Sequence, residues 1–173
     1  EVAATQIPGL PDEYKKRPAQ KPPTKRESDA VFSAVVRDRK YWGEAVKKRA
    51  KPKAADELVP RLRRIFIDSG LPPELVWIAE VESSMDAKAK SPAGAAGLFQ
   101  LMPQTATSLG LQLRPADQRL NPDLNARAAA KYLRQLYGRF GSWPLALAAY
   151  NAGPGRVGSL CRKYKSNSFD AIA

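Results

Sequence analysis

Apolar residues recur along this chain at spacings of three and four, and no segment of useful length alternates apolar with polar at a spacing of two. At 3.6 residues per turn that rhythm puts a continuous stripe on one helix face, whereas a half-buried strand needs period two. The expected fold is therefore mainly α. Ser28-Asp29 is an N-cap candidate ahead of the stripe Val31, Phe32, Val35 and Val36. Asp56 to Asp68 reads as a second helix with Leu58, Leu62, Ile65 and Phe66 on one face, closed by Gly70. Pro72-Pro73 opens a helix over 73–86, and the small residues and Pro92 of 87–98 form a loop with a short hairpin. Further helices are expected from Pro103 to Leu109, after Asn121-Pro122-Asp123, and from Ser142 to Asn151, where Gly153-Pro154-Gly155 breaks the pattern.

The length of 173 residues allows one well-buried domain with a remainder, and not two full ones. Residues 1–28 hold five prolines among lysines and arginines and read as an extended tail, 29–70 as a helical lead-in, and 71–173 as the main domain. The formal charge of +12 is uneven: residues 1–64 carry net +8 and 65–173 net +4. Such an excess fits a polyanionic partner or a solubilising face, and no groove-reading motif accompanies it, so no nucleic acid is expected. There is no histidine, which removes Ser-His-Asp and Cys-His catalysis and every imidazole metal site. The single cysteine, Cys161, cannot form an internal disulfide. Chemistry must run on carboxylates, hydroxyls, amides or cations, and no cofactor is expected.

One carboxylate stands out. On a helical wheel with Leu75 at zero, Glu80 falls at about 140° on the polar side. Glu82 falls at about 340°, inside the arc of Leu75, Ile78, Ala79, Val81 and Met85, with Val76 and Trp77 outside it. A glutamate aimed at an apolar face either finds a cation or holds its proton above the usual range, as a general acid for glycosidic cleavage must. Helix geometry alone also allows a glutamate bonded to amides of the following loop. That loop, Ser91 to Pro103, is rich in glycine and alanine and ends in Gln100 and Met102. Glycine admits close backbone approach, and a glutamine amide suits a sugar acetamido group or a cap. Late in the chain Ala149-Tyr150-Asn151-Ala152-Gly153 puts a phenol and an amide at a helix end, where core packing is the commoner fate of a tyrosine.

Taken together, Glu82-Ser83, SPAGAAGLFQLMP at 91–103 and AYNAG at 149–153 resemble the lytic transglycosylases of the soluble murein transglycosylase (SLT) catalytic-domain type. The likeness spans roughly residues 58–160. The helix leading into Gly70-Leu71-Pro72 looks closest to the membrane-bound lytic murein transglycosylase D branch. The resemblance implies a lysozyme-like, goose-type helical domain that cleaves the β-1,4 bond between N-acetylmuramic acid and N-acetylglucosamine, leaving 1,6-anhydromuramic ends. It makes Glu82 the single general acid and base, and places Ser83, Ser91, Gln100, Met102, Tyr150 and Asn151 along the sugar groove. By the same analogy Tyr150 orients Glu82 or the transition state, and Gln100 holds an acetamido group.

Two alternatives remain open on the residues: a goose-type lysozyme hydrolysing the same bond, and a non-catalytic peptidoglycan-binding or scaffold module. Asp86, one turn beyond Glu82, would serve a hydrolytic mechanism if it faced the cleft; it is expected instead to cap the helix or bond loop amides. The family pattern continues past the point where this sequence stops at Ala173, so a closing segment is expected to be missing or replaced. A monomer in the bacterial periplasm or envelope is expected, with the signal peptide removed. Its partners are glycan strands, with envelope proteins meeting the basic front region.

Overall fold

The computed structural model describes residues 50–172. The expected tail at 1–28 and the stripe from Val31 to Val36 lie outside the described residues. Among the described residues six α-helices follow in order: α1 (Ala55–Asp68), α2 (Ile78–Ser83), α3 (Pro103–Ser108), α4 (Pro122–Phe140), α5 (Trp143–Ala152) and α6 (Pro154–Lys163). Two 3-10 turns, Pro73–Trp77 and Gln118–Leu120, precede α2 and α4. The only β-pairing among the described residues is a pair of isolated bridges, Lys90 with Ala96 and Ala96 with Leu101, which make the small hairpin.

Local signals explain most boundaries. Asn121 caps α4, its side chain accepting from the backbone N–H groups of Asp123 and Leu124 at 3.1 Å, with Pro122 at the first helical position. A cap of this kind stabilises by about 1 kcal/mol. Gly141 ends α4 in the left-handed region at φ 64°. Ser142 occupies the next N-cap position, but its side chain makes no capping bond. Helix α6 was not expected. Pro154 reads as a breaker, yet it is the first residue of a new helix, where its missing N–H has no intrahelical partner to lose.

Helix α4 packs against α1 and α5, and α5 against α6. Leu58, Leu62, Ile65 and Phe66 of α1 share one buried cluster with Val76, Ala79, Met85, Phe99, Ala129 and Leu133. The Phe66 and Phe99 rings lie 5.6 Å apart between centroids, both fully buried. Each such ring contributes about 2 kcal/mol by burial. A second cluster joins Leu136 and Phe140 to Leu145, Ala149 and Val157. Tyr150 is packed against both of these clusters and against a third around Leu101 and Ala106.

The segment 73–86 departs from a single helix. Pro73–Trp77 winds as a 3-10 turn, advancing about 120° per residue, before α2 begins. The apolar face is thereby rotated: Val76 is fully buried and Val81 is 74% exposed, the reverse of the uniform wheel. Glu82 consequently sits at the edge of the core, half-buried, and not in its centre.

Candidate active site

Glu82 is the fifth residue of a six-residue helix. The chain leaves α2 sharply because Ser84 and Met85 both adopt left-handed backbone, at φ 53° and 64°. The Ser84 and Met85 N–H groups then donate back to Glu80 O and Ala79 O at 2.9 and 3.1 Å. Gln100, across the site, is left-handed as well at φ 46°. Non-glycine residues in this region cost of order 1 kcal/mol each and persist where surrounding structure holds them, as at functional sites.

Burial holds the Glu82 carboxyl above its ordinary value of 4.5. No ion pair to Glu82 forms among the described residues. With no cation beside it, desolvation is left to act on the Glu82 carboxyl unopposed, and the shift is upward. Asp86 is exposed and accepts from the Lys88 N–H at 2.8 Å, the loop-amide role expected of it. With Glu80, Lys53 and Ser84 it lines a recess of about 480 Å³ whose lining does not include Glu82.

The segment Gly97–Gln100 is fixed by side chains from three helices. Ser83 Oγ of α2 lies 2.8 Å from Leu98 O and 2.9 Å from Ala79 O, a shared donation that ties the loop to the helix carrying Glu82. Asn125 of α4, fully buried, accepts from the Phe99 N–H at 2.8 Å. The Tyr150 hydroxyl of α5 donates to Phe99 O at 2.6 Å. Burial raises the Tyr150 phenol far above the ordinary range, and the nearby Glu82 charge raises it further. Tyr150 is therefore a neutral donor that feels the catalytic-candidate carboxylate, and its ring rests against Tyr132 at 5.5 Å.

A clasp from the 3-10 turn holds the other side of the loop. Arg119 pairs with Asp117 through two bonds, Nε to Oδ1 at 3.0 Å and Nη2 to Oδ2 at 2.8 Å. The remaining Nη1 donates to Gly94 O and Leu101 O at 2.8 and 2.9 Å. The hydrogen bonds from Arg119 to Asp117, with the charge of Arg119, lower the Asp117 carboxyl below its usual value. Bidentate geometry with four of the five guanidinium donors bonded is what makes such a sparsely exposed pair tolerable.

The other residues expected at the groove divide by function. Ser91 Oγ accepts from the Ala95 N–H at 3.0 Å and shapes the hairpin. Gln100 Nε2 donates to Gly97 O at 2.8 Å and Ala89 O at 3.3 Å, so its amide nitrogen is spent on the loop and its oxygen is the group left for a ligand. Met102, 43% exposed, and Asn151, also exposed, carry no such backbone bonds and are open to a ligand. Asn125, Arg119 and Asp117 escaped the sequence reading. Asn125 had a signal of the same kind as Glu82: it heads the apolar stripe Ala129, Leu133, Leu136 and Phe140 on α4. Arg119, in a turn without periodicity, had none.

A helical domain ending a short helix on an unpaired, half-buried glutamate, opposite a braced glycine-containing loop, has the lysozyme-like fold of the murein-lytic enzymes. Among solved structures it is similar to an inactive Glu-to-Gln mutant of lytic transglycosylase Slt from Pseudomonas aeruginosa, at a TM-score of 0.58 and 36% identity over 70% of this chain and 20% of that one. The 70-kDa soluble lytic transglycosylase in complex with bulgecin A matches at a TM-score of 0.54 and 36% identity, covering 64% of this chain and 19% of that one. The chain belongs to the transglycosylase SLT domain family, whose model matches residues 67–172. Curated relatives include soluble lytic murein transglycosylase of Salmonella typhimurium, 43% identical over 105 residues, which are 56% of this chain and 16% of the relative. Membrane-bound lytic murein transglycosylase D of Escherichia coli is 43% identical over 89 residues, 50% of this chain and 20% of the relative. The matched region is thus a fifth or less of those proteins.

The raised Glu82 carboxyl has consequences of definite sign. A glutamate serving here as general acid would have to be protonated, so any cleavage it carried out would fall as pH rises through its folded-state pKa, which lies above 4.5. Stability follows the same proton: the parent is disfavoured relative to Glu82→Gln once pH exceeds that pKa, and the two converge below about 4.5. Thermal unfolding of both proteins across pH checks this; a Gln variant less stable than the parent at neutral pH would contradict it.

Proposed function

We propose that this domain is a peptidoglycan lytic transglycosylase, with Glu82 as its single acid and base. The observation that carries the reading is the Glu82 carboxyl, without an ion pair among the described residues, its pKa raised by burial, on the helix tied to the loop that Ser83, Asn125 and Tyr150 brace. Protonated Glu82 gives its proton to the glycosidic oxygen as the bond from muramyl C1 breaks. The resulting carboxylate accepts the proton of the muramyl 6-hydroxyl as that oxygen bonds to C1. Atoms balance without water, and the product is a 1,6-anhydro ring. A second carboxylate is unnecessary because the substrate's own hydroxyl is the nucleophile, which accords with Asp86 being engaged elsewhere.

Met102, Asn151 and the Gln100 amide oxygen are the groups assigned to the sugars, while Ser83, Ser91 and Tyr150 act by holding the loop and the acid in register. A site of action in the bacterial envelope is supported by the relatives' names, which are those of murein transglycosylases, and the charge of residues 1–64 favours anionic wall polymer or an envelope partner there. No helix among the described residues is long and apolar enough to cross a membrane.

Digestion of purified peptidoglycan followed by mass analysis of the soluble products tests the reaction. Products with 1,6-anhydromuramic ends are expected. Reducing ends heavier by one water would make the enzyme a lysozyme, and binding without any cleavage would make it a glycan-binding module.

A further inference from the structure

Asn125 lies well outside the three motifs that mark the site, yet it is the fully buried polar side chain that grips the loop opposite Glu82. The two peptide units flanking Phe99 have four polar groups, and each is bonded. Leu98 O receives Ser83, Phe99 N–H goes to Asn125, Phe99 O receives Tyr150, and the Gln100 N–H goes to Gly97 O at 3.1 Å. Asn125 alone among these side chains grips the loop from α4, and its Nδ2 also reaches toward Ala96 O at 3.4 Å. It also leaves no room for a side chain at Gly97, where an ideal Cβ would fall 2.7 Å from Nδ2. One amide thereby ties the loop to α4 at Phe99 and Ala96 and closes the space beside Gly97.

We propose that Asn125 is a positioning residue for glycan cleavage, holding the Phe99–Gln100 peptide in the plane from which Tyr150 and Gln100 face Glu82 and the substrate. The inference rests on the transglycosylase reading. Its physical content is that asparagine is needed as acceptor and donor at once: Oδ1 must take the Phe99 N–H and Nδ2 must face Ala96 O. Aspartate has the same shape, but when ionised it lacks the donor and places a charge against a carbonyl. When protonated it supplies an acceptor and an O–H donor, and restores the pattern.

Asn125→Asp therefore separates positioning from bulk. Cleavage of soluble glycan oligomers by the parent and the variant is compared from pH 4.5 to pH 8, with circular dichroism at each pH to confirm folding. At pH 8 the variant's kcat is expected about 100-fold below the parent's, with KM within about threefold, as for a misplacement of order 1 Å. The ratio of variant to parent kcat should rise at least about tenfold toward pH 4.5 as the carboxyl takes its proton. A folded variant whose ratio stays near one, or is depressed equally at all pH values, would overturn the proposal. If Asn125→Asp does not fold, Asn125→Ser, which keeps a small donor and acceptor, is read the same way: kcat lowered more than about tenfold at unchanged KM supports positioning, and unchanged kcat refutes it. A parent that cleaves no glycan would instead sink the functional reading itself.

Discussion

Glu82→Gln is expected to lower kcat for glycan cleavage by about 10⁴-fold while leaving the fold intact. The size follows from the double duty assigned to this side chain. A positioned acid or base is worth about 10² to 10⁴ in rate, and here one carboxyl serves at both ends of the reaction. The preserved fold follows from its surroundings. Glu82 makes no ion pair among the described residues, so the amide strands no cation, and it removes a carboxylate that burial already disfavours. Turnover assays beside circular dichroism decide the matter: a folded variant with more than about a tenth of parental activity would transfer the proton chemistry to another group.

Gly97→Ala carries the largest expected loss of stability from a single methyl group. Gly97 has φ +82°, and an ideal Cβ would lie 2.0 Å from Arg119 O and 2.7 Å from Asn125 Nδ2. Neither neighbour can retreat cheaply. The Arg119 side chain is held by Asp117 and two loop carbonyls, and Asn125 by the Phe99 N–H. Left-handed strain of about 1 to 2 kcal/mol adds to an overpacking cost of about 1 to 3. A total of about 2 to 5 kcal/mol lowers Tm by about 5 to 20 °C in a domain of this size. Gly94→Ala is the internal control. Its φ of +91° imposes similar strain, but the nearest atom is Pro103 Cγ at 4.0 Å, so only the strain is felt. Equal Tm losses in the two variants would mean that the close approach of Gly97 is not what demands glycine.

The helices were legible because each is written in a short window. Asn121-Pro122 opens α4, Gly141 closes it, and the stripe from Ala129 to Phe140 names its buried face. The placement of Glu82 near an apolar face, and the Gly-Ala loop after it, could be read from spacing in the same way. Where local rules compete, the reading slipped. Pro154 signals a break and an N1 position equally well, and only the continuation to Lys163 distinguishes them. A 3-10 turn leaves the same residues in the same order as an α-helix, so nothing local announced that Val76 would be buried and Val81 exposed.

Periodicity therefore determined which segments are helices, which face of most of them is apolar, and which carboxylate was out of place. It could not determine what would stand opposite that carboxylate. The bonds that brace the site join Ser83 to Leu98, Phe99 to Asn125 and Phe99 to Tyr150, across 15, 26 and 51 residues of chain. The Arg119 clasp on Gly94 and Leu101 is equally nonlocal, spanning 25 and 18 residues. A side chain's own neighbours in sequence set its helical face, but its hydrogen-bond partner is whatever the packing of other elements brings within 3 Å. The raised pKa of Glu82 belongs to that second kind of information, since it comes from burial and burial exists only once the helices and the loop have closed around it.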